Sequence, residues 1–187
     1  MRRRVLILAG LMACAVLAAG CGNKLETRTL GATEGLYLDL DDLKYQVQLS
    51  RYLNPNDIED RTYLSGLQGG TAQPGGDETW FGVFMRVSNA NDKPIAPADD
   101  FEIVDTQDNV YKPVPLDPKV NPFAYEPNPI PPKSMIPRPD SIASEGVIKQ
   151  GALLLFKIKT DSLQNRPLEL RIKRGGSPVT AVVDLDV

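Results

Sequence analysis

Apolar and polar residues alternate with period two in several segments of this chain. Leu36, Leu38 and Leu40 alternate with Tyr37 and Asp39, and Leu43, Tyr45, Val47 and Leu49 alternate with Lys44, Gln46, Gln48 and Ser50. Such alternation predicts strands with one buried face, here two strands or one bent at Asp41-Asp42. In TWFGVFMRVSN, Phe81, Val83, Met85 and Val87 share one face. Trp80, Gly82, Phe84 and Arg86 share the other, which is apolar enough that a loop is expected to cover Trp80 or Phe84. FEIVDTQDNVYKPV predicts a hairpin, with Phe101 and Ile103 inward and a turn at Thr106 to Asn109. GALLLFKIK, LELRIKR and VTAVVDLDV supply three more strands, the last two joined at Arg174 to Ser177. That makes about eight strands without long segments of helical period, which predicts an all-β fold, a sandwich or barrel.

Two segments interrupt this pattern. Residues 54–78 are rich in Asn, Asp, Pro and Gly and predict a long loop with one helical turn at 57–64. A second loop, 113–145, holds ten of the sixteen prolines between Pro113 and Pro139. Proline cannot donate to a strand ladder, so this excursion is not expected to be a strand interior. Asn121-Pro122-Phe123-Ala124-Tyr125 places two aromatics on it. Two roles remain open and are compatible. Phe123 and Tyr125 fold back over Trp80 and Phe84 as a structural flap, or they stand out as a stiff partner-binding knob with few rotors to freeze.

The N-terminus sets the address. Arg2, Arg3 and Arg4 precede thirteen apolar residues, Val5 to Leu17, a run too short to span a bilayer and suited to a signal peptide. Ala18-Ala19-Gly20-Cys21 follows and resembles the lipobox of bacterial lipoproteins. That resemblance implies cleavage after Gly20 and lipidation of Cys21, with the mature chain held on the extracytoplasmic side of a membrane. An ordinary secretory signal with a free Cys21 thiol is the alternative. Residues 21–35 then read as the lipidated cysteine and a polar tether, reaching about 20 Å as a flexible chain, ahead of a folded unit at 36–187.

Composition narrows the chemistry. Removing residues 1–20 leaves eighteen basic and twenty-four acidic side chains, a balance of −6, with no basic stripe for nucleic acid. There is no histidine, which removes the common Ser-His and Cys-His nucleophiles and most zinc sites. No S-x-x-K is present, and nothing selects a glycosidase-type carboxylate pair from so many acids. An enzyme is therefore not expected, and no cofactor is. Acidic clusters at Asp39/Asp41/Asp42, Asp57/Glu59/Asp60 and Asp99/Asp100/Glu102 lack EF-hand spacing. Asp57, Glu59 and Asp60 are the best calcium candidates among them, against the reading of a solvated acidic face.

The order of these segments resembles the telokin-like, immunoglobulin-like extracellular domain of many bacterial lipoproteins. Phe101, Asp105 and Tyr111 match its hairpin motif, with Asn109 where that motif has glycine, and Gly151, Leu154 and Phe156 match a later strand. The resemblance covers residues 36–187 and implies an immunoglobulin-like β-sandwich that serves as a binding or accessory module. Under that expectation Phe123, Tyr125 and Trp80 are the candidate partner-binding residues. An envelope protein is the expected partner, and calcium or another small ligand the alternative.

Overall fold

The computed structural model describes residues 27–68, 73–144 and 150–186. The expected signal peptide, 1–20, and Cys21 lie outside those residues. Ten strands form two sheets, so the expected all-β sandwich is the fold. One sheet has the order β1 (Leu30–Gly31), β10 (Thr180–Leu185), β9 (Leu168–Lys173), β5 (Asp100–Val104), β6 (Val110–Tyr111). The other contains β2 (Leu38–Leu40), β3 (Leu43–Leu53) and β4 (Glu78–Asn89). The far side of β4 is shared. β8 (Ala152–Lys159) pairs with residues 78–85, and β7 (Ser134–Ile136) pairs with residues 87–89. All pairings are antiparallel except β1 with β10.

The predicted alternation is what fills the space between the sheets. Phe81, Val83, Met85 and Val87 of β4 meet Leu154, Phe156 and Ile158 of β8, and Phe101, Ile103, Leu168, Leu170 and Ile172 of the facing sheet. One irregularity redirects β3. A bulge between Val47 and Leu49 inserts one residue against β4. Because side chains alternate, one extra residue moves the rest of the strand to the opposite faces. Leu43, Tyr45 and Val47 therefore belong to the inter-sheet core, and Leu49 and Leu53 to the outer face of the same sheet.

Both flanks of the sandwich are bridged. On one, the Arg28 carbonyl accepts from Asp39 N–H (2.6 Å) and the Thr29 carbonyl accepts from Val182 N–H (2.8 Å), which ties the two sheets together. Glu34 then accepts from Ser50 N–H (3.1 Å), the Ser50 hydroxyl and Asp186 N–H (3.1 Å). The expected tether of 21–35 is thus corrected. Residues 28–35 are part of the folded body, because their backbone and carboxylate groups complete the ladder on that flank. On the other flank the chain leaves β6 and crosses to β8, where Val114 N–H donates to the Leu155 carbonyl at 2.6 Å.

Candidate functional site

Trp80, Gly82 and Phe84 face away from the inter-sheet core, yet Trp80 is only 1% exposed. A second apolar layer covers this face. It contains Leu53, Tyr63, Trp80, Phe84, Leu153 and Leu155, with Leu64, Leu67, Val114, Leu116 and Phe123 packed around them. Its frame is the expected helical turn, a helix over Ile58–Tyr63, followed by the first half of the proline-rich excursion. The Phe123 ring lies edge-on to Tyr63 (centroids 4.8 Å), and Tyr63 edge-on to Phe84 (5.1 Å), a geometry that matches ring edges to faces. Gly82 is the gap that permits this approach. A Cβ there would lie 3.1 Å from both Leu53 and Leu153 side chains and 3.2 Å from Phe84.

The excursion is fastened by amides. Asn121 is buried and donates through Nδ2 to the Tyr63 carbonyl (2.8 Å) and the Ser65 carbonyl (3.0 Å), while its Oδ1 accepts from Phe123 N–H (3.0 Å). Asn89, also buried, donates to the carbonyls of Lys93 and Ile130 (2.9 Å each) and Pro131 (3.1 Å). Leu153 N–H donates to the Phe123 carbonyl (2.7 Å), and Tyr125 N–H donates to the Leu153 carbonyl (2.9 Å). The proline-rich chain therefore lies along the outer edge of β8 and pairs with it through its few non-proline amides.

The three candidate recognition residues do not form an exposed knob. Trp80 is sealed beneath the layer, and Phe123 is part of it. Tyr125 turns the other way, into the inter-sheet core, where its ring meets Phe101 edge-on at 5.2 Å. Its hydroxyl donates to the Ala98 carbonyl (2.9 Å), while the Tyr45 hydroxyl accepts from Ala98 N–H (2.7 Å). Burial pushes the Tyr45 phenol up to about 12. Phe123 alone takes the flap position over Phe84, and Tyr125, expected there with it, is corrected to a place in the inter-sheet core against Phe101. Asn121, Asn89 and Tyr63 were not singled out from sequence. The Asn121-Pro122 pair was the available signal, since asparagine there fixes the turn before proline.

The calcium candidates are each occupied by the protein itself. Asp57 Oδ1 caps the helix, accepting from Glu59 N–H (2.9 Å) and Asp60 N–H (3.1 Å). Glu59 accepts from the Tyr63 hydroxyl (3.0 Å) and Gln150 Nε2 (3.1 Å). Asp60, 5% exposed, pairs with Arg51 at 2.6 Å and accepts from Asn54 N–H at 2.7 Å. Arg51 also lies 3.9 Å from Glu59, so a guanidinium already stands where Glu59 and Asp60 approach each other, and Asp57 is turned to the helix N-terminus; the three carboxylates form no shared cation cage in this geometry. No three Asp, Glu or Cys side chains among the described residues converge into a metal-binding group.

The hairpin residues are structural too. Asp105 Oδ1 accepts from Gln107 and Asn109 N–H (2.9 Å each), and Oδ2 accepts from the side-chain amides of Asn109 (2.9 Å) and Asn165 (3.1 Å). Burial alone would raise its pKa. Hydrogen bonds from Ser162, Asn109 and Asn165 outweigh it and hold the carboxyl well below the usual range. Tyr111 and Ser162 hydroxyls meet at 2.6 Å, joining the hairpin to the turn after β8.

Two open depressions flank the excursion. One of about 350 Å³ is lined by Asp99, Phe101, Pro113, Leu116, Tyr125 and Leu154. The other, about 580 Å³, is bounded by Phe123, Glu126, Ile130, Met135, Arg138 and Ser141. The second is polar and apolar in alternation, with one acid and one base at its rim.

No protein-family model matches the chain, and no curated protein matches it. Solved structures do. The yjhA protein of Bacillus subtilis superposes with a TM-score of 0.50 and 10% identity, over 83% of this chain and 99% of that one. An uncharacterized β-sandwich protein from Clostridium difficile gives 0.48 at 11% identity, over 87% and 98%. A candidate lipoprotein of Bacillus subtilis, ycdA, gives 0.46 at 14% identity, and this chain spans 39% of it. At these identities the likeness is one of fold alone.

Proposed function

We propose that this protein is a lipid-anchored, extracytoplasmic lipoprotein whose single sandwich serves as a non-enzymatic binding or accessory module of the cell envelope. The observation that carries this reading is Ala18-Ala19-Gly20-Cys21 directly after a basic and apolar leader. Several acyl chains hold a protein on a bilayer where one gives marginal binding. The telokin-like resemblance of the hairpin and the β8 strand supports a module of this type. Support for a binding role comes from an architecture that spends its acids and amides on internal fastening. The loops at 54–78 and 113–140 are the proposed recognition segments, and the second lines both depressions.

A small-ligand module is the second reading, favoured by the 580 Å³ depression with Glu126 and Arg138 at its rim. The experiment for the first reading is metabolic labelling of cells with an alkynyl fatty acid. The natural chain takes the label and fractionates with membranes. Cys21→Ala takes none and leaves them. Equal labelling of the two chains would overturn the anchor.

A further inference from the structure

The anchor reading acquires a direction once the entry point of the chain is known. β1 runs parallel to β10, with Leu30 beside Val182, so Thr27 lies level with the start of β10. The β2–β3 turn lies at that same end, because Asp41 pairs with Arg174 (3.0 Å) and Ser177 (2.9 Å) of the β9–β10 turn. The β4–β5 loop joins them, since Asn91 donates to the Asp42 carbonyl at 2.7 Å. These three connections form one end of the sandwich, and the chain enters there.

Cys21 and Thr27 are six residues apart, a path of at most about 20 Å however those residues are arranged. Had residues 22–35 all been tether, the limit would have been about 50 Å. The entry end must therefore stay within about 20 Å of the lipid that holds Cys21. The opposite end is a strand length away, about 40 Å for the twelve residues of β4.

Charge separates the two ends in the same sense. At the entry end acids and bases are paired locally. Asp39 pairs with Lys44 (2.6 Å), Asp92 with Lys133 (3.0 Å), Asp41 with Arg174 (3.0 Å) and Asp42 with Lys93 (3.9 Å). The opposite end carries Glu34, Asp77, Asp105, Asp108, Asp161 and Asp186 in its turns and last residues, against Lys159 and Arg166. An anionic lipid surface repels the second end and is indifferent to the first. The exposed Val179 just before β10 adds apolar contact at the entry end.

We propose that the end formed by the β2–β3 turn, the β4–β5 loop and the β9–β10 turn is a lipid-facing surface. It rests on the headgroup layer, with Val179 at the contact, and the Asp105 end points away to receive partners. This rests on the anchor reading. Lipidation consumes the mature chain's native thiol, so an introduced cysteine can be labelled alone.

The test uses the lipidated full-length protein, reconstituted in vesicles of phosphatidylethanolamine and phosphatidylglycerol that carry a headgroup nitroxide. A fluorophore is attached at Lys93→Cys or at Gln107→Cys. The expected result is loss of most fluorescence at 93 and little at 107. The surface pair Asp92→Cys and Asp161→Cys repeats the measurement if either first variant folds poorly. Equal quenching at both ends, or stronger quenching at 107, in protein that floats with the vesicles overturns the orientation and leaves the anchor standing. Protein that does not float overturns both.

Discussion

On one face of β4, Phe81, Val83, Met85 and Val87 meet strands of the opposite sheet; on the other, Trp80 and Phe84 meet a six-residue helix and a proline-rich loop. Both faces exclude water equally well, since Phe81 and Phe84 are each fully buried. What differs is the means of fastening. The inner face is held by ladders, in which every residue adds a backbone bond and a side chain together. The outer face is held by a few backbone bonds to β8, by side-chain amides, Asn121 foremost, and by the edge-on sequence Phe123, Tyr63, Phe84. An irregular cover can thus seal a sheet as tightly as a second sheet does, but its cohesion is concentrated in single residues.

The strongest challenge to this contrast is truncation on each face. Phe156→Ala, in the inter-sheet core, is expected to cost about 3–5 kcal/mol and to lower the whole unfolding transition in urea. Gly151→Ala comes next. Gly151 has φ +104°, and a Cβ there would lie 2.8 Å from the Met85 carbonyl oxygen. Backbone strain of about 1–3 kcal/mol therefore adds to a clash that the ladder cannot relieve, and thermal unfolding should report it as an early, still cooperative transition.

Asn121→Ala sharpens the contrast. It leaves the Tyr63 and Ser65 carbonyls without their donor, which costs about 1–3 kcal/mol. Hydrogen exchange should rise at Leu64 to Leu67 and at Phe123 to Tyr125 while β5 and β9 stay protected. Uniform loss of protection would show that both faces belong to one cooperative unit. Asp105 tests the hairpin through pH. Its folded pKa lies below the unfolded value of about 3.9. Its contribution is therefore complete above that value and is lost as pH falls towards the folded pKa. Glu102 acts in the same window, held at about 2 by Lys112 and Lys173. Urea midpoints measured between neutral pH and acid should fall below about pH 4.5, and less steeply in Asp105→Asn. The smallest effect belongs to Ile58→Ser, exposed on the helix, within about 0.5 kcal/mol.

Period-two alternation made the inner face legible. The strands at 43–53, 100–104 and 168–173 lie where Leu, Val, Ile and Phe alternate with polar residues, and those at 78–89, 152–159 and 180–185 where apolar residues run on together. The bulge at Gln48 was not legible, because an inserted residue leaves a plausible alternation on both sides of it. β1 was missed because two residues in a polar stretch carry no period, and β7 because it is three residues long among prolines. The covered state of Trp80 could be anticipated from its apolar neighbours. The opposite turns of Phe123 and Tyr125 could not, since period two would put residues 123 and 125 on one side, and the bridge of Ala124 to Leu153 is isolated and belongs to no regular strand. Among the acids, sequence proximity of Asp57, Glu59 and Asp60 said nothing of their partners, which come from Arg51, Asn54 and Gln150.

The chain lying along β8 has a consequence for life at a surface. A protein held on a membrane meets its own copies in two dimensions, at crowding far above that in solution. An uncovered β8 edge would offer its amides and carbonyls to the matching edge of a neighbour, the first step of sheet-to-sheet aggregation. Proline cannot continue such a ladder, so a cover built from it closes the edge without opening a new one. The excursion therefore works as a terminator of the β8 edge, and under the anchor proposed above it would keep neighbouring copies from joining along that edge.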